Sequence, residues 1–303
     1  MKPALVIFAY NRPVHLAALL QSIGKESLQE VASIYFYIDG PRNLETDAKL
    51  VDACADIAER FVTADVPKII NLASTNKGLR SSVIAGVSEV LSSNESCIVL
   101  EDDLILHSDS LFFLKWALAS YRLDERVGSV SAYNPCEYHE GRKPAILTPR
   151  HSSWAWGTWA FIWDGFISTN LGTPSRSSER YWRRYYNLAG ETLVDMYKLQ
   201  RNGKIDSWSI DFDFYNWSTL RWSVCPNHNL VINRGFDEMG THCRSSDSPH
   251  SPAMPKHPVK NLFFTAEDLP QLSVDLEYLM ELNKLYSYTT MERIKCMFRR
   301  LVS

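Results

Sequence analysis

The sequence predicts an α/β fold built around a parallel β-sheet. Short apolar runs that suit buried strands alternate with longer segments whose apolar residues recur at helical spacing. This alternation implies parallel strands joined by right-handed crossovers. Polar residues directly follow several of these strands, and open α/β sheets bind their ligands at that carboxyl edge. At 303 residues, the chain has room for one large domain or two closely packed halves.

Three strands are predicted in the first part of the chain, each followed by a helix. The apolar runs Ala4–Ala9, Ile34–Ile38 and Lys68–Leu72 are short, and turn residues bound the first two. Asn11 is a candidate helix cap after the first strand, and Pro13 suits the first helical turn. Helices are expected over the apolar spacings at 16–23, 50–61 and 83–91.

The chain is organised around three consecutive acids that follow a fourth strand. Ile98–Leu100 is apolar and too short for a helix, and Glu101, Asp102 and Asp103 come directly after it. Packing three carboxylates together is costly unless a cation neutralises them. Carboxylate oxygens suit Mg²⁺ or Mn²⁺, and these ions commonly bridge to diphosphates. A solvated acidic turn or a helix N-terminus is the alternative, but the position after a buried strand favours a metal site.

Two other strand ends carry polar residues that suit a nucleotide. Arg12 follows the first strand, and Asp39 follows the second, directly before Gly40. The alternative for Asp39 is a turn-forming role, and the alternative for Arg12 is an ordinary surface position. A helix dipole does not stabilise a cation near the helix start, which favours a ligand contact for Arg12.

The composition changes after a helix predicted at Asp109–Tyr121 and a strand predicted at Val127–Ala132. The stretch that follows carries Trp154, Trp156 and Trp159. Most of these rings are expected in the core, and one is a candidate for stacking on a sugar. Farther along, a short strand beginning at residue 231 runs into a loop with two glycines.

The composition also argues against several classes of protein. The net charge of −3 disfavours a general nucleic-acid binder. The six cysteines form no Cys-x-x-Cys pair, which indicates core thiols in a reducing compartment. No apolar stretch suits a signal peptide or a membrane span, so a soluble, cytoplasmic protein is expected. Neither a dinucleotide-binding glycine motif nor a P-loop motif is present.

A series of short blocks follows one another along the chain: Asn11-Arg12-Pro13, Ile38-Asp39-Gly40, Asn76-Lys77-Gly78-Leu79, Leu100-Glu101-Asp102-Asp103-Leu104, Asp206-Ser207-Trp208, and Asn233-Arg234-Gly235-Phe236 to Gly240-Thr241-His242. Taken in this order, the blocks resemble the nucleotide-sugar-dependent glycosyltransferases of GT-A fold, with the closest likeness to the N-acetylglucosaminyltransferase I-like group and its bacterial relatives. The likeness covers about residues 3–245. It implies a Rossmann-like mixed sheet flanked by helices, and Glu-Asp-Asp stands for the family's metal-binding Asp-x-Asp motif.

The resemblance implies roles for residues on the donor side. Asp103 would contact a divalent cofactor, Mn²⁺ or Mg²⁺, with Asp102 beside it in the donor site. Asp39 would hold the uracil or the ribose, and Arg12 would lie by the nucleotide. A basic residue at the start of the third helix, Lys77 or Arg80, would face the diphosphate. A loop that ends in His242 would close over the donor.

The resemblance also implies an aspartate as the catalytic base. Three acids stand in the corresponding region, Asp206, Asp211 and Asp213, and their spacing alone does not choose among them. The motif match favours Asp206, with Asp211 second. If a helix begins at this segment, Asp206 lies at its N-terminus, where a capping role predicts the same position.

The predicted organisation is a nucleotide-sugar-binding half at 1–125, an acceptor and catalytic half of the same domain at 126–248, and a Pro-rich segment with a helical tail at 249–303. The tail would place its apolar residues on one helical face with cations elsewhere. Such a helix suits peripheral contact with the inner face of a membrane, and docking on its own domain is equally compatible. The apolar positions are Ile294, Met297, Phe298 and Leu301.

The resulting hypothesis is a metal-dependent glycosyltransferase. It would move a sugar from a nucleoside diphosphate donor, expected to be UDP-linked, to a glycan or lipid-linked glycan hydroxyl, with inversion, in bacterial surface polysaccharide synthesis. The alternatives are a nucleotidyltransferase that makes nucleotide sugars and a non-catalytic sugar- or nucleotide-binding module. A nucleotidyltransferase is expected to carry a Gly-rich basic loop after its first strand, where this chain has Tyr10-Asn11-Arg12-Pro13.

Overall fold

The computed structural model describes residues 2–24, 28–63, 65–171, 187–190, 192–235, 254–256 and 273–287. The strands are β1 Ala4–Ala9, β2 Ile34–Ile38, β3 Lys68–Leu72, β4 Ser96–Glu101, β5 Leu104–Leu106, β6 Val127–Ser131, β7 Ala145–Thr148, β8 Trp156–Trp159, β9 Trp222–Pro226 and β10 Val231–Asn233. They form an eight-stranded sheet of order β3-β2-β1-β4-β8-β6-β9-β7 and a two-stranded ribbon of β5 and β10.

Helices cover both faces of the first half of the sheet. Phe36 of β2 packs edge-on against Phe61, directly after the helix α2 (Ala48–Arg60). Tyr37 points to the opposite face, as alternate strand residues do, where it contacts Gly86 of the helix α3 (Leu79–Leu91). The helices are α1 Pro13–Ser22, α2 Ala48–Arg60, α3 Leu79–Leu91, α4 Ser110–Ser120, α5 Ala160–Ser168, α6 Thr192–Arg201, α7 Trp208–Ser218 and α8 Leu276–Leu285.

The first four strands of the sheet form its parallel part. β1 pairs with β2 on one side and β4 on the other, and β2 pairs with β3, all in parallel register. Every residue of β1 is buried, because helices cover both of its faces and strands flank both of its edges. The predicted parallel sheet with helical crossovers is confirmed for this half.

The second half makes the sheet mixed. β8 runs antiparallel to both β4 and β6, so it joins the two halves of the sheet without a break. Gly157 of β8 lies against the carbonyl oxygen of Cys97, where a Cβ would come within 2.8 Å. The fold class expected from the resemblance, a Rossmann-like mixed sheet flanked by helices, is therefore confirmed.

One helix from the C-terminal region packs on the second half. In α8, the side chains of Tyr278 and Leu282 are fully buried in a small cluster with Cys136 and Cys225. Arg142, whose side chain is 3% exposed, holds the start of this helix through ion pairs with residues 275 and 281. Part of the segment 249–303 thus packs on the second half of the sheet, and the predicted three-part division itself stays a prediction.

The local predictions differ from the structure at a few points. The strands β5, β7, β8 and β9 and the helices α5, α6 and α8 were not predicted. The predicted cap at Asn11 is wrong, because Arg12 is the N-cap residue of α1 and the Asn11 side chain instead donates to Asp47 at 3.4 Å. Within the described residues, no helix is long and apolar enough to cross a membrane.

Candidate active site

The ends of β1, β2 and β4 meet at the carboxyl edge of the parallel strands, as predicted. The Asp39 backbone N–H donates to the carbonyl of Ala9 at 2.9 Å, which ties the end of β2 to the end of β1. The Tyr10 backbone N–H donates to Asp102 Oδ2 at 3.2 Å, which ties the end of β1 to the acids after β4. Strand pairing therefore brings the polar residues of three separate segments to one edge.

Three carboxyl groups, those of Glu101, Asp102 and Asp103, crowd together at the end of β4. Burial, followed by the charges of Asp103 and Asp102, raises the pKa of Glu101 to about 8. Burial, followed by the charge of Asp103, raises the pKa of Asp102 to about 7. The guanidinium of Arg12 opposes both shifts. The raised pKa values mean that the charged forms of these carboxyl groups are disfavoured as they stand, and a bound cation would stabilise those charged forms.

Arg12 contacts the last acid of the triplet directly. Its Nη1 lies 3.4 Å from Asp103 Oδ2, and its side chain is 11% exposed. As the N-cap residue of α1, Arg12 is fixed by the end of β1 on one side and by the helix on the other. The structure thus places Arg12 beside the predicted metal ligand, rather than in the solvent-exposed position that the alternative interpretation required.

The β5–β10 ribbon brings a late segment of the chain against Asp103. β10 pairs antiparallel with β5, placing Asn233 opposite Leu104. The pairing continues past the strand ends, where the Arg234 backbone N–H donates to the Asp103 carbonyl oxygen at 2.8 Å. Gly235 comes so close to Asp103 that a Cβ would overlap its Oδ2 atom. The first part of the predicted closing segment therefore lies at the triplet.

Asp39 is buried directly after β2, where it contacts the segment that precedes α3. Its Oδ1 accepts the backbone N–H groups of Gly40 and Lys77, at 2.9 and 2.8 Å. Its Oδ2 accepts the Asn76 side-chain amide and the Gly78 backbone N–H, at 3.0 and 2.9 Å. These four bonds fix the end of β2 to the segment that leads into α3. Contact between Asp39 and a nucleotide stays a prediction, and it requires at least one of these bonds to be shared.

Gly40 permits a close approach between two loops of this edge. A Cβ on Gly40 would lie 2.5–2.7 Å from backbone atoms of Thr75, so any larger residue would push the turns after β2 and β3 apart. The side chain of Lys77, two residues after Thr75, is exposed at the same edge. Lys77 therefore presents its side chain to solvent beside the turns after β2 and β3.

The loop after β1 is held by a hydrogen-bond network that the sequence does not indicate. The hydroxyl of Tyr10 donates to Asp47 Oδ2 at 2.6 Å, and the backbone N–H of Asn43 donates to the same atom at 3.1 Å. These bonds, with the Tyr10 bond as the largest cause, lower the pKa of Asp47 to about 2. Tyr10 therefore links the end of β1 to the start of α2.

The three candidate bases occupy different environments. The Asp206 side chain is 77% exposed, just before α7, and its Oδ1 lies 3.3 Å from Arg80 Nε. Asp211, 3% exposed, pairs with Arg80 and Arg201. Asp213 is buried and accepts the backbone N–H of His151 at 2.7 Å. Only Asp206 among these three presents a solvent-accessible carboxylate, because burial encloses the other two.

The tryptophans of residues 154–159 also separate into two groups. Trp156 and Trp159 in β8 are buried in the aromatic core of the second half. Trp154 is half-buried, and its ring packs edge-on against Tyr133 with centroids 4.4 Å apart. Because β8 is antiparallel to β4 and Trp156 faces Val99, Trp154 lies toward the end of β4 that carries the acids. Ala155 between them has φ 48°, which turns the chain at this point.

Asp103 and the neighbouring acids have the donor atoms that a hard divalent cation needs. Mg²⁺ and similar ions are often held by one or two carboxylates, with water and substrate phosphates completing the coordination shell. Across the described residues, no three His, Cys, Asp or Glu side chains are grouped to enclose a metal ion by themselves. The acids at the end of β4 supply carboxylate oxygens, the kind of ligand that a site shared between protein and phosphate uses. His242 and the helix that the sequence predicts near residues 291–301 lie outside the described residues.

No family model and no curated protein matches the chain. Among solved structures, it is similar to GalNAc-T7 with UDP, GalNAc and Mn²⁺, at 8% identity and a TM-score of 0.45, over 75% of this chain and 43% of that one. It is also similar to a UDP-glucose pyrophosphorylase complexed with UDP-glucose, at 11% identity and a TM-score of 0.39, over 75% of this chain and 90% of that one.

A third similar structure is a cytidylyltransferase from Leptospira borgpetersenii serovar Hardjo-bovis, at 12% identity and a TM-score of 0.37. That match covers 57% of this chain and 66% of the other.

Proposed function

We propose that this protein is a metal-dependent glycosyltransferase that uses a nucleoside diphosphate sugar, expected to be UDP-linked. The observation that carries the proposal is the carboxyl edge of β4, where three acids meet one guanidinium beside the loops after β1 and β2. An edge that combines these acids with the exposed Lys77 suits a diphosphate bound through a divalent cation. The exposed Asp206 supplies a carboxylate that acts in proton transfer.

The donor would bind along this edge with its diphosphate near Asp103 and Lys77. A Mn²⁺ or Mg²⁺ ion held by Asp103, with Asp102 beside it, would neutralise the diphosphate and favour its departure. Arg12, already at Asp103, and Lys77 add positive charge around the same group. The hydrogen bonds to Asp39 hold the backbone of Gly40 and Lys77 in place. Direct contact between Asp39 and the nucleotide is also part of the proposal.

In the transfer step, the acceptor hydroxyl oxygen attacks the anomeric carbon of the donor sugar. The new carbon–oxygen bond forms as the bond to the diphosphate breaks, and the nucleoside diphosphate leaves with that electron pair. The hydroxyl proton passes to Asp206, which acts as general base. Attack opposite the leaving group inverts the configuration at the anomeric carbon. Asp211 is less suited to this role, because Arg80, Arg201 and Gln200 already occupy its carboxylate.

The proposed setting is assembly of a bacterial surface glycan on a glycan or lipid-linked acceptor, at the cytoplasmic side of the membrane. The test is a panel of UDP-, GDP- and CMP-sugars with Mn²⁺ and simple sugar or lipid-linked acceptors, read out by mass spectrometry of the products. Parallel reactions with nucleoside triphosphates and sugar 1-phosphates test for nucleotidyl transfer. A new glycosidic product supports the proposal. Pyrophosphate release with a nucleotide-sugar product, or tight binding with no product, contradicts it.

A further inference from the structure

Arg80 connects the donor side of the site to the acceptor side. It lies in the first turn of α3, directly after the Lys77-Gly78 segment that Asp39 holds. Its guanidinium contacts two acids at the start of α7. There Nη2 lies 2.8 Å from Asp211 Oδ2, and Nε lies 3.3 Å from Asp206 Oδ1. One side chain therefore contacts both a buried acid and an exposed one.

The buried acid is a fixed anchor for Arg80. Arg201 Nη2 donates to Asp211 Oδ1, and the Gln200 side-chain amide donates to Asp211 Oδ2 at 3.2 Å. The same Gln200 accepts the backbone N–H of Ser207 at 2.8 Å, which fixes the residue next to Asp206. The Asp211 network thus holds both the guanidinium of Arg80 and the chain at the start of α7.

We infer that Arg80 is a positioning residue, which holds the Asp206 carboxylate at a set place relative to the donor edge. This inference rests on the proposed function, in which Asp206 is the base. A guanidinium has a rigid, planar set of donors, so it can bridge two carboxylates in one geometry. Asp211 sets the position of Arg80, and Arg80 in turn limits where the otherwise exposed Asp206 side chain can lie.

This role differs from the diphosphate contact that the resemblance suggests for Arg80. Two of its nitrogen atoms are engaged by Asp211 and Asp206, whereas the Lys77 side chain is exposed at the donor edge. A cation that binds the diphosphate should affect donor affinity. A residue that positions the base should affect turnover, and only when the base is present.

The first measurement is calorimetric titration of UDP with Mn²⁺ into full-length wild-type protein, Arg80→Gln and Lys77→Gln. The expected result is a Kd for Arg80→Gln within about 2-fold of wild type and a clearly weaker Kd for Lys77→Gln. Arg60→Gln, at an arginine on α2 that is 83% exposed, serves as the matched control. A 10-fold or greater loss of UDP affinity in Arg80→Gln, on the order expected for a lost diphosphate contact, would overturn the inference.

The second measurement is a double-mutant cycle on kcat with Arg80→Gln, Asp206→Asn and the double variant. Misplacement of the base should lower kcat of Arg80→Gln by about 10- to 100-fold. In the Asp206→Asn background, the same change should lower kcat by less than about 2-fold, because the residue it positions is already gone. Full additivity of the two losses would overturn the inference. Arg80→Lys keeps the charge against Asp211, and it replaces Arg80→Gln throughout if the latter does not fold.

A third measurement does not depend on transfer. Hydrogen–deuterium exchange of the segment 203–210 should be faster in Arg80→Gln than in wild type. Exchange of the same segment should be unchanged in the control Arg60→Gln. Unchanged exchange in Arg80→Gln would count against the inference.

Absence of transfer by wild-type protein with every donor is a failure of the proposed function. Transfer by wild type together with an additive cycle is a failure of the positioning role alone.

Discussion

Arg234 donates its backbone N–H to the carbonyl oxygen of Asp103 at 2.8 Å, extending the pairing between β5 and β10 to the end of the acidic triplet. These residues are far apart in sequence, and the ribbon brings them into contact. The consequence is that the backbone of the last acid is fixed by the segment that follows β10. The position of the Asp103 carboxylate therefore depends on residues 231–235 as well as on β4.

Gly235→Ala should disturb the acidic triplet without touching its charges. A Cβ at Gly235 would overlap Asp103 Oδ2, so the carboxylate or the ribbon has to move. We expect a loss of about 1–3 kcal/mol in the free energy of unfolding, the range for overpacking, and weaker Mn²⁺-dependent UDP binding by calorimetry. Wild-type UDP affinity in this variant would show that the site tolerates displacement of Asp103.

Asp103→Ala should abolish divalent-dependent donor binding and leave the fold intact. The carboxylate lies at the end of the triplet beside Arg12, and its removal takes away the expected metal ligand while lowering the local negative charge. Calorimetry with UDP and Mn²⁺ is the measurement, and circular dichroism checks the fold. Asp56→Ala, at an acid on α2 that is 70% exposed, is the matched control. Unchanged UDP affinity with Mn²⁺ in Asp103→Ala would reject the assignment.

Asp206→Asn and Asp211→Asn should fail in different ways. Asp206→Asn should lower kcat by at least about 10²-fold with little change in donor affinity, as loss of a general base does. Asp211→Asn should lower the free energy of unfolding by about 3 kcal/mol or more, because two arginines lose their buried partner. Kinetics and chemical denaturation measure the two effects. Near-normal turnover in Asp206→Asn, beside a folded but inactive Asp211→Asn, would transfer the role of base to Asp211.

Trp154→Ala should weaken binding of the sugar and spare binding of the nucleotide. The half-buried ring lies toward the end of β4 that carries the acids, where it can form a wall for a sugar. Loss of the ring should raise the KM for the nucleotide sugar by up to about 10-fold, the scale of one aromatic contact, with the Kd for UDP alone unchanged. Trp154→Phe should retain most of the affinity. An unchanged KM in Trp154→Ala would assign the ring to the core.

Tyr10→Phe should raise the pKa of Asp47 from about 2 toward its usual value of 3.8, because the Tyr10 hydroxyl is the largest cause of the lowered pKa. A carboxyl group whose pKa is lower in the folded state stabilises the protein above its unfolded pKa, and that contribution disappears as the pH falls through the folded pKa. The contribution of Asp47 is therefore present above about pH 4 and lost by about pH 2. NMR titration of Asp47 measures the shift, and an unchanged pKa in Tyr10→Phe would contradict the assigned cause.

The strands of the parallel half could be predicted from the sequence because their signals are local. The bounds of β1, β2 and β3 match the predicted apolar runs, and α3 begins after the predicted Lys77-Gly78 turn. The acids after β4 were identified for the same reason, since consecutive carboxylates after an apolar run are visible without any tertiary information. Convergence of three strand ends then follows from parallel pairing alone.

Tertiary structure decided which of the marked residues act together. Trp156 and Trp159 are buried in β8, whereas Trp154 precedes that strand and is half-buried. A short tryptophan-rich stretch does not by itself specify where such a strand begins or which strands it pairs with. Asp206 and Asp211 have similar sequence signals, but α7 begins between them, which leaves one exposed and buries the other. The contact of Arg80 with both acids depends on packing of α3 against α7, and long-range packing has no local signature in the sequence.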